Sequence, residues 1–346
     1  MQPNESNTKK KGAARPLGRL GIFTLVTLAL LLVTLLGVIW VLEKGPSPTV
    51  TEKFCRSMRE TSAIQWIPNL FLSPEEVDAF KSESTETDET ETVNTSLIHI
   101  APAAEDESTG DGVELVAITH GTAKGKLLIV RDPSRIVLGV SAKEFSANVP
   151  GMQLTELVEK YNAVAGINAG GFNDENGRGN GGVPQGLVIS EGVLRHGNGG
   201  TKYNVVGFDG DHILHVGTMT ADEAVAQGIA NAVSFTTHDG LASSLIINGE
   251  LQSKNFGGGV NPRTAIGQCA DGSVLLLVLD GRSINTLGAT MQDVADIMLE
   301  YGAVNAGNLD GGSSSVMVYG GEIINTCASV TGPRSIPTAF VVLPEA

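Results

Sequence analysis

Acidic and basic residues flank several short apolar segments in the second half of this 346-residue sequence. A rigid sheet holds the ends of its strands in fixed positions, so we expect such side chains to meet in one pocket. Arginine binds phosphate through paired donors, and a carboxylate can activate water or attack an anomeric carbon. The sequence therefore predicts a site for a substrate that is both sugar-like and anionic. Its charged members are Asp174, Arg263, Asp280, Arg282, Asp310 and Arg334.

Glycine is abundant in the same loops, and most of the 43 glycines lie in the second half of the chain. Glycine permits positive φ and lets backbone N–H groups approach a ligand closely. The D-x-N-G stretch that begins at Asp174 is similar to a calcium loop, but position 12 of an EF-hand requires Glu and is Gln185 here. The loops are therefore predicted to bind anions and sugars, and an EF-hand is excluded.

The elements that must position these loops follow from the spacing of apolar residues. Short runs rich in β-branched residues predict many strands from about residue 113 onwards. Helices are predicted where Leu154, Leu157 and Val158 share one face, and again after a cap at Thr290. Many strands with few helices predict an α+β fold, a mixed-sheet domain over residues 112–346.

The N-terminal part of the chain has a different composition. Residues 20–42 contain no charged side chain and are long enough to cross a bilayer as one helix. Because basic residues precede this helix, we expect a single-pass plasma membrane protein whose N-terminus, residues 1–19, is cytoplasmic and whose domain is extracellular. A cleaved signal peptide is not favoured, since VIWVLEKG offers no small-residue cleavage site. The basic residues are Lys9, Lys10, Lys11, Arg15 and Arg19.

Two segments connect this helix to the domain. Residues 43–81 are predicted to form a membrane-proximal stalk, with a short helix starting at Ser73. Residues 82–96 alternate Ser and Thr with acidic residues, and acidic residues recur between Ala101 and Asp111, so residues 82–111 are predicted to be a solvated linker. The formal charge of −15 excludes a nucleic-acid partner, and three cysteines exclude a disulfide scaffold. The sequence leaves open whether Cys269 and Cys327 pair, and it leaves the oligomeric state open.

Several motifs, in order over about residues 112–343, resemble those of the phosphodiester glycosidase family. The resemblance implies hydrolysis of a sugar 1-phosphodiester, which releases the sugar and leaves a phosphomonoester. With the outward topology, it indicates glycans of the cell envelope or exopolysaccharide as substrates. The motifs are INAGGFND, VPQGLVISEGV, NPRTAIGQCADGSVLLLVLDGR, GATMQDVADIMLEYGAVNAGNLDGGSSS and PRSIPTAFVV.

The resemblance also carries site residues over to this chain. Asp310 is expected to act as base or nucleophile, with Asp174 or Asp280 as the second carboxylate. One departure concerns the loop after Asp310: family members often have DGGGS, whereas this chain has DGGSS, which leaves the loop shape open. The expected substrate- and phosphate-binding residues are Asn168, Gly170, Gly171, Arg263, Thr264, Arg282, Asn308, Gly311, Gly312, Ser313 and Arg334.

Cleavage at the anomeric carbon suits this set of residues. A phosphomonoester leaves as a weak base, so one carboxylate and arginines that hold the phosphate would suffice without a strong general acid. The sequence does not separate an inverting from a retaining outcome, because that depends on the distance between the carboxylates. A serine nucleophile at Ser313 or Ser314 is disfavoured, since no G-x-S-x-G elbow exists.

Two other functions remain open at this point. A metal-dependent phosphodiesterase would cleave the P–O bond; the sequence requires no cofactor, but its Asp-rich loops would suit Ca²⁺ or Mg²⁺. The six histidines include no H-x-x-x-H pair, and His238, beside Asp239, is a candidate site residue. A non-catalytic wall-glycan binder is disfavoured because aromatic residues make up only 5% of the chain, and Trp40 and Trp66 precede the domain.

Overall fold

The computed structural model describes residues 15–61, 64–80, 92–100, 112–174, 179–236, 243–253, 256–283, 286–329 and 332–345. The chain divides into two compact units, Met1–Thr51 and Glu52–Ala346. The first contains helix α1, Arg15–Lys44. Its part Leu20–Lys44 has a mean hydropathy of 2.8 and is, by length and composition, able to span a membrane.

The described residues contain five further α-helices, and two of them begin at the caps predicted from the sequence. The side chains of Ser73 and Thr290 each accept a hydrogen bond from the backbone N–H of the residue three positions later, which confirms both predicted caps. The predicted buried face of Leu154, Leu157 and Val158 is also confirmed. The helices are α2 Pro48–Arg59, α3 Pro74–Asp78, α4 Leu154–Lys160, α5 Ala221–Ala226 and α6 Met291–Glu300.

The described strands form three antiparallel sheets. Their orders are β1-β2-β13-β12-β14-β10-β11, β16-β15-β4-β17-β3 and β6-β5-β9-β7-β8. The strands are β1 Val113–His120, β2 Ala123–Val130, β3 Ile136–Val140, β4 Ala165–Asn168, β5 Val188–Ser190, β6 Val193–His196, β7 Lys202–Asp209, β8 Leu214–Thr220, β9 Ile229–Ser234, β10 Ser244–Ile247, β11 Glu250–Leu251, β12 Arg263–Cys269, β13 Val274–Leu279, β14 Ala303–Asn308, β15 Met317–Tyr319, β16 Glu322–Ile323 and β17 Thr338–Val342.

The main core lies where the three sheets face one another. Ile266 of the first sheet, Phe340 of the second and Phe208 of the third belong to one buried cluster. The other face of the first sheet packs on α6, where Ala265 is buried. Because side chains alternate along a strand, neighbours such as Thr264 and Ala265 point to opposite faces. The α+β fold predicted from the sequence is confirmed, and this alternation divides the site residues between two faces.

Part of the segment before the domain packs within the second unit. A small buried cluster contains Cys55 of α2, Leu72, which precedes α3, and Val77 of α3. The Arg56 Nε donates to the carbonyl oxygen of Phe80 at 3.0 Å. The second unit thus begins at Glu52. The boundaries predicted for the stalk, the linker and the domain stay predictions, and residues 81–91 and 101–111 lie outside the described residues.

The three cysteines are free. Cys269 ends β12, where its Sγ lies 3.3 Å from the carbonyl oxygen of Tyr301. The Sγ of Cys327 lies 3.9 Å from the carbonyl oxygen of Ser313. The pairing that the sequence left open is absent from the structure.

Candidate functional site

The loops that bear the predicted site residues meet at one edge of the sheets. The backbone N–H of Asp310 donates to the carbonyl oxygen of Ala169, which follows β4, at 3.0 Å. Leu309 donates to Thr264 of β12 at 2.8 Å, and Gly312 donates to Pro262 at 3.0 Å. Strands distant in sequence therefore bring INAGG, NPRT and NLDGG together.

Asn168 holds these loops together through its side-chain amide. It is 1% exposed, and its Nδ2 donates to the carbonyl oxygen of Asp310 at 2.6 Å. Its Oδ1 accepts from the Thr264 hydroxyl at 2.9 Å and from the Val316 backbone N–H at 3.1 Å. The Thr264 Oγ1 also lies 3.1 Å from the Oγ of Ser315. Asn168 and Thr264 thus position the backbone of Asp310.

Replacing Thr264 by Val tests this network. Because Thr264 is 0% exposed, its loss leaves buried polar groups of Asn168 and Ser315 with fewer partners. We expect the free energy of unfolding to fall by about 1–2 kcal/mol, measured by denaturant titration. Thr201→Val, at an exposed position, is the control and should change stability by less than about 0.5 kcal/mol. Equal values for the two variants would contradict the network.

Asp174 and Arg334 form a bidentate ion pair beside this network. The two guanidinium nitrogens lie 2.8 and 2.6 Å from the two carboxylate oxygens, and the side chain of Arg334 is 13% exposed and that of Asp174 is 21% exposed. Arg334 also donates to the carbonyl oxygen of Gly179 at 3.0 Å and lies 4.9 Å from the ring centroid of Phe172. The hydrogen bond to Asp174 raises the pKa of Arg334, so the guanidinium stays charged.

Among the acids of the site, Asp310 has the pKa that is shifted furthest from its ordinary value. Burial raises the pKa of its carboxyl to about 7, although a hydrogen bond from Ser314 and the charge of Arg334 oppose the shift. The charge of Asp174 raises it further. Asp310, Asp174 and Arg334 are therefore near enough to interact electrostatically, and we call them the Asp310 cluster. A carboxyl with this pKa exchanges a proton at neutral pH, as a general base must.

Arg263 and Arg282 lie in a different environment. Arg263 points to the face of β12 opposite Thr264, where its guanidinium lies 2.8 Å from the carboxylate of Glu60 and 2.6 Å from the carbonyl oxygen of Gly259. Arg282 donates to Asn261 Oδ1 at 3.0 Å. Burial lowers the pKa of Arg282, and the Glu60 charge opposes that shift while Arg263 adds to it. We call Glu60, Gly259, Asn261, Arg263 and Arg282 the Glu60 cluster.

Asp280 belongs to neither cluster by its contacts. Its Oδ1 accepts from the Thr326 backbone N–H at 2.8 Å. Burial raises the pKa of its carboxyl, whereas Thr326, Lys126 and Asn325 lower it. The structure thus places this predicted carboxylate against the segment around Thr326.

The glycines form the walls of the site. The Gly170 N–H donates to Thr338 Oγ1 at 3.2 Å, and a Cβ at Gly170 would lie 3.0 Å from that of Val233. A Cβ at Gly311 would lie 2.9 Å from the carbonyl oxygen of Pro262. Gly312 has a φ of +64°, which favours glycine. The Asp310 loop therefore lies too close to Pro262 for a side chain at Gly311.

The remaining predicted residues have other placements. Asn308, 1% exposed, lies opposite Ala265 and so shares a face with Arg263; neither side-chain amide atom has a hydrogen-bond partner. Ser313 contributes its carbonyl oxygen to the contact with Cys327. His238 lies outside the described residues. Glu60 was missed by the sequence reasoning, because nothing in residues 43–81 indicates a contact about 200 positions away.

A cavity of about 190 Å³ opens beside Gly171. Hydroxyl and amide groups suit sugar hydroxyls, and aromatic rings suit the apolar face of a sugar. Asn204 accepts from the Thr218 hydroxyl at 2.8 Å and donates to that of Thr236 at 3.2 Å. The cavity is also lined by Gln185, Gly186, Lys202, Tyr203, Ser234 and Phe235.

The described residues contain no group of three or more His, Cys, Asp or Glu side chains that could hold a metal ion. The paired carboxylate of Asp174 is already bound to Arg334.

Comparisons with known proteins agree with this architecture. Residues 161–343, just over half of the chain, match the family model described as phosphodiester glycosidase. The structure resembles the catalytic domain of zebrafish N-acetylglucosamine-1-phosphodiester alpha-N-acetylglucosaminidase, auto-inhibited there by its pro-peptide, with a TM-score of 0.54 and 20% identity. That match covers 74% of this chain and 88% of the zebrafish chain, and it shows the fold.

Two further proteins are similar to this chain. One is a solved structure with a lower TM-score, and the other is a longer protein that matches in sequence. A solved structure from Burkholderia pseudomallei K96243 has a TM-score of 0.47 and 17% identity over 65% of this chain and 75% of its own. The SPbeta prophage-derived uncharacterized protein YomE of Bacillus subtilis (strain 168) is 27% identical over 230 residues, which is 62% of this chain. The match covers only 32% of the length of that Bacillus protein.

Proposed function

Because this chain belongs to the phosphodiester glycosidase family, we propose that it hydrolyses a sugar 1-phosphodiester at the anomeric C–O bond. The products are the free sugar and a phosphomonoester. The observation that carries the proposal is Asp310, a carboxyl whose pKa burial raises to about 7 beside the ion pair of Asp174 and Arg334.

Asp310 acts in this proposal as the general base. It accepts a proton from a water molecule whose oxygen forms the new bond to the anomeric carbon. The bond between that carbon and the phosphate oxygen breaks, and its electron pair stays on the phosphate. Arg334 stabilises the negative charge on the phosphate, while Asp174 fixes the orientation of Arg334. Asp174 is thus a positioning residue for Arg334.

The cavity beside Gly171 supplies space for the sugar. Ala169, two positions before Gly171, accepts the hydrogen bond from the backbone of Asp310, so the cavity lies next to the Asp310 loop. Its hydroxyl and amide groups favour a neutral sugar, and Lys202 adds a positive charge at its wall. The proposed substrate is therefore a glycosyl phosphodiester whose sugar occupies this cavity.

The proposed location follows from helix α1. Its apolar part crosses the membrane, and the preceding basic residues keep the N-terminus in the cytosol. The domain then lies outside the cell, where glycosyl phosphates of the envelope or of exopolysaccharide are the proposed substrates.

Hydrolysis in ¹⁸O-labelled water tests the bond that breaks. The purified chain in detergent is given a panel of aryl glycosyl phosphodiesters, and the products are analysed by mass spectrometry. We expect the label in the sugar, because water attacks the anomeric carbon. Label in the phosphate would show P–O cleavage and overturn the proposal, and complete inertness with retained glycan binding would support the glycan-binder alternative.

A further inference from the structure

The segment that follows α2 exposes large apolar side chains on one side. Pro68, in the short 3₁₀ turn Ile67–Leu70, is buried. Trp66, which precedes this turn, is 57% exposed, and Leu70 and Phe71 at its end are 39% and 37% exposed. We call Trp66, Leu70 and Phe71 the Trp66 surface. One side of the segment therefore packs within the protein, and the other presents apolar side chains outward.

The composition of the Trp66 surface is typical of a protein that contacts lipid headgroups. An indole ring combines a large apolar area with one N–H donor, and tryptophan is therefore enriched where a bilayer meets water. Single exposed apolar side chains are normal on protein surfaces, but these three lie within residues 66–71. Trp66 is the only tryptophan after Trp40, which lies in α1.

The covalent chain keeps the Trp66 surface near the end of α1. Only residues 45–47 separate α1 from α2, and this connection spans at most roughly 14 Å. Helix α2 has 12 residues, which is about 18 Å of helix. The segment that carries Trp66 is held on α2, since Arg59 of α2 pairs with Asp78 of α3 at 3.1 Å and both helices contribute to one buried cluster. Where α1 leaves a bilayer, the Trp66 surface is therefore within reach of the lipid.

The charges of this segment do not provide the attraction to lipid. Arg56 pairs with Glu52 at 2.8 Å, and Arg59 pairs with Asp78. Basic segments bind anionic lipid through Lys and Arg side chains close to the headgroups, and salt screens that attraction. Burial of apolar and aromatic side chains between the headgroups does not depend on screening by salt. The expected partner is therefore the interface of a bilayer of any headgroup charge.

We propose that the Trp66 surface docks on the membrane that α1 crosses, with the indole ring of Trp66 at the level of the headgroups. The inference rests on the proposed location of α1 and not on the proposed hydrolysis. Docking of α2 and its neighbours also places the domain, because Ser57 accepts from the Val260 N–H at 2.8 Å and Glu60 accepts from the Gly259 N–H at 2.6 Å. The NPRT loop is thereby kept close to the bilayer.

Tryptophan fluorescence of the full chain in phosphatidylcholine nanodiscs tests the docking. Trp40→Phe leaves Trp66 as the only tryptophan. Lipids that carry bromine at the headgroup end of their acyl chains should quench its emission about twofold, because tryptophan prefers that depth. The control chain carries Trp40→Phe, Trp66→Phe and Val193→Trp, which moves the tryptophan to an exposed position of β6. Its emission should be quenched by acrylamide in the water and not by the brominated lipid.

Leu70→Glu, added to Trp40→Phe, tests the surface itself. A carboxylate at this position should lift Trp66 out of the interface and remove most of the quenching by brominated lipid. Leu251→Glu is the matched control, because Leu251 in β11 is 38% exposed, close to the value for Leu70. It should leave the quenching unchanged. Because both side chains are exposed, both variants should melt close to the temperature of the parent chain, and added sodium chloride should not reduce the quenching in the parent.

Several results would contradict the docking. Quenching of Trp66 by acrylamide and not by brominated lipid would show that its ring faces water. Protection of Trp66 from both quenchers would show that protein covers it, and a second copy would be that cover if discs with a single chain lost the protection. Equal effects of Leu70→Glu and Leu251→Glu would show that the Trp66 surface has no special part in binding lipid.

The docking and the other proposals fail in distinguishable ways. A chain that does not copurify with the discs would reject both the membrane span of α1 and the docking. Quenching is measured without substrate, so inactivity toward glycosyl phosphodiesters would reject the proposed hydrolysis and leave the docking intact.

Discussion

Asp310→Asn is expected to lower kcat/KM for a glycosyl phosphodiester by about 10²–10⁴-fold, the usual contribution of a general base. The side chain keeps its shape but loses the ability to accept a proton from water. In the unchanged protein, the rate should rise with pH and level off above about pH 7, because burial raises the pKa of Asp310 to about 7 and only the ionised form acts as base. Steady-state kinetics between pH 5 and pH 9 measure both effects.

The same variant should be more stable than the unchanged protein at high pH. Asp310 ionises near 3.8 when unfolded and at about 7 when folded, so folding is penalised progressively as pH rises between these values. Below pH 3.8 the group is neutral in both states and the penalty is absent. At pH 8 the penalty is roughly 2–4 kcal/mol, and Asn removes it. Urea titrations at pH 5 and pH 8 should show the larger gain at pH 8.

Asp211→Asn is the control for both measurements, because Asp211 is an exposed acid outside the Asp310 cluster. It should leave kcat/KM and stability essentially unchanged. An active Asp310→Asn enzyme would exclude Asp310 as the base. A loss of activity without the pH-dependent gain in stability would show that the carboxyl is not held at a raised pKa.

Arg334→Met is expected to lower kcat/KM at pH 7 by about 10²–10³-fold, the range seen when a group that stabilises transition-state charge is removed. The variant also leaves Asp174 without its bidentate partner and removes the charge that lowers the pKa of Asp310. The rising limb of the pH–rate profile should therefore move to higher pH. This shift distinguishes an electrostatic contribution from a purely structural one.

Arg195→Met is the matched control, because Arg195 pairs with the exposed Glu191 at 3.4 Å on the surface. Its activity and pH–rate profile should equal those of the unchanged protein. If Arg334→Met lost activity with an unmoved rising limb, Arg334 would not influence Asp310. Its contribution would then be limited to holding Asp174 and Gly179 in place.

Much of the fold was predictable because it depends on local patterns. The caps at Ser73 and Thr290 and the buried face of α4 follow from interactions between residues three or four positions apart. The strands around RTAIG and VLLLVL follow from uninterrupted apolar and β-branched residues. The contact of Glu60 with Arg263 has no such local signature, since the two residues are 203 positions apart.

The sequence by itself determined where the strands end and which charged residues follow them, because hydrophobic spacing and glycine-rich turns are local properties. Only the tertiary structure decided which of those side chains share a pocket. Thr264 and Arg263 are adjacent in sequence, yet strand alternation directs one toward Asn168 and the other toward Glu60. The register of β12 against β14 and the packing of α6 decide which face of β12 turns toward α6 and which toward the main core. Both depend on the burial of residues far apart in the chain.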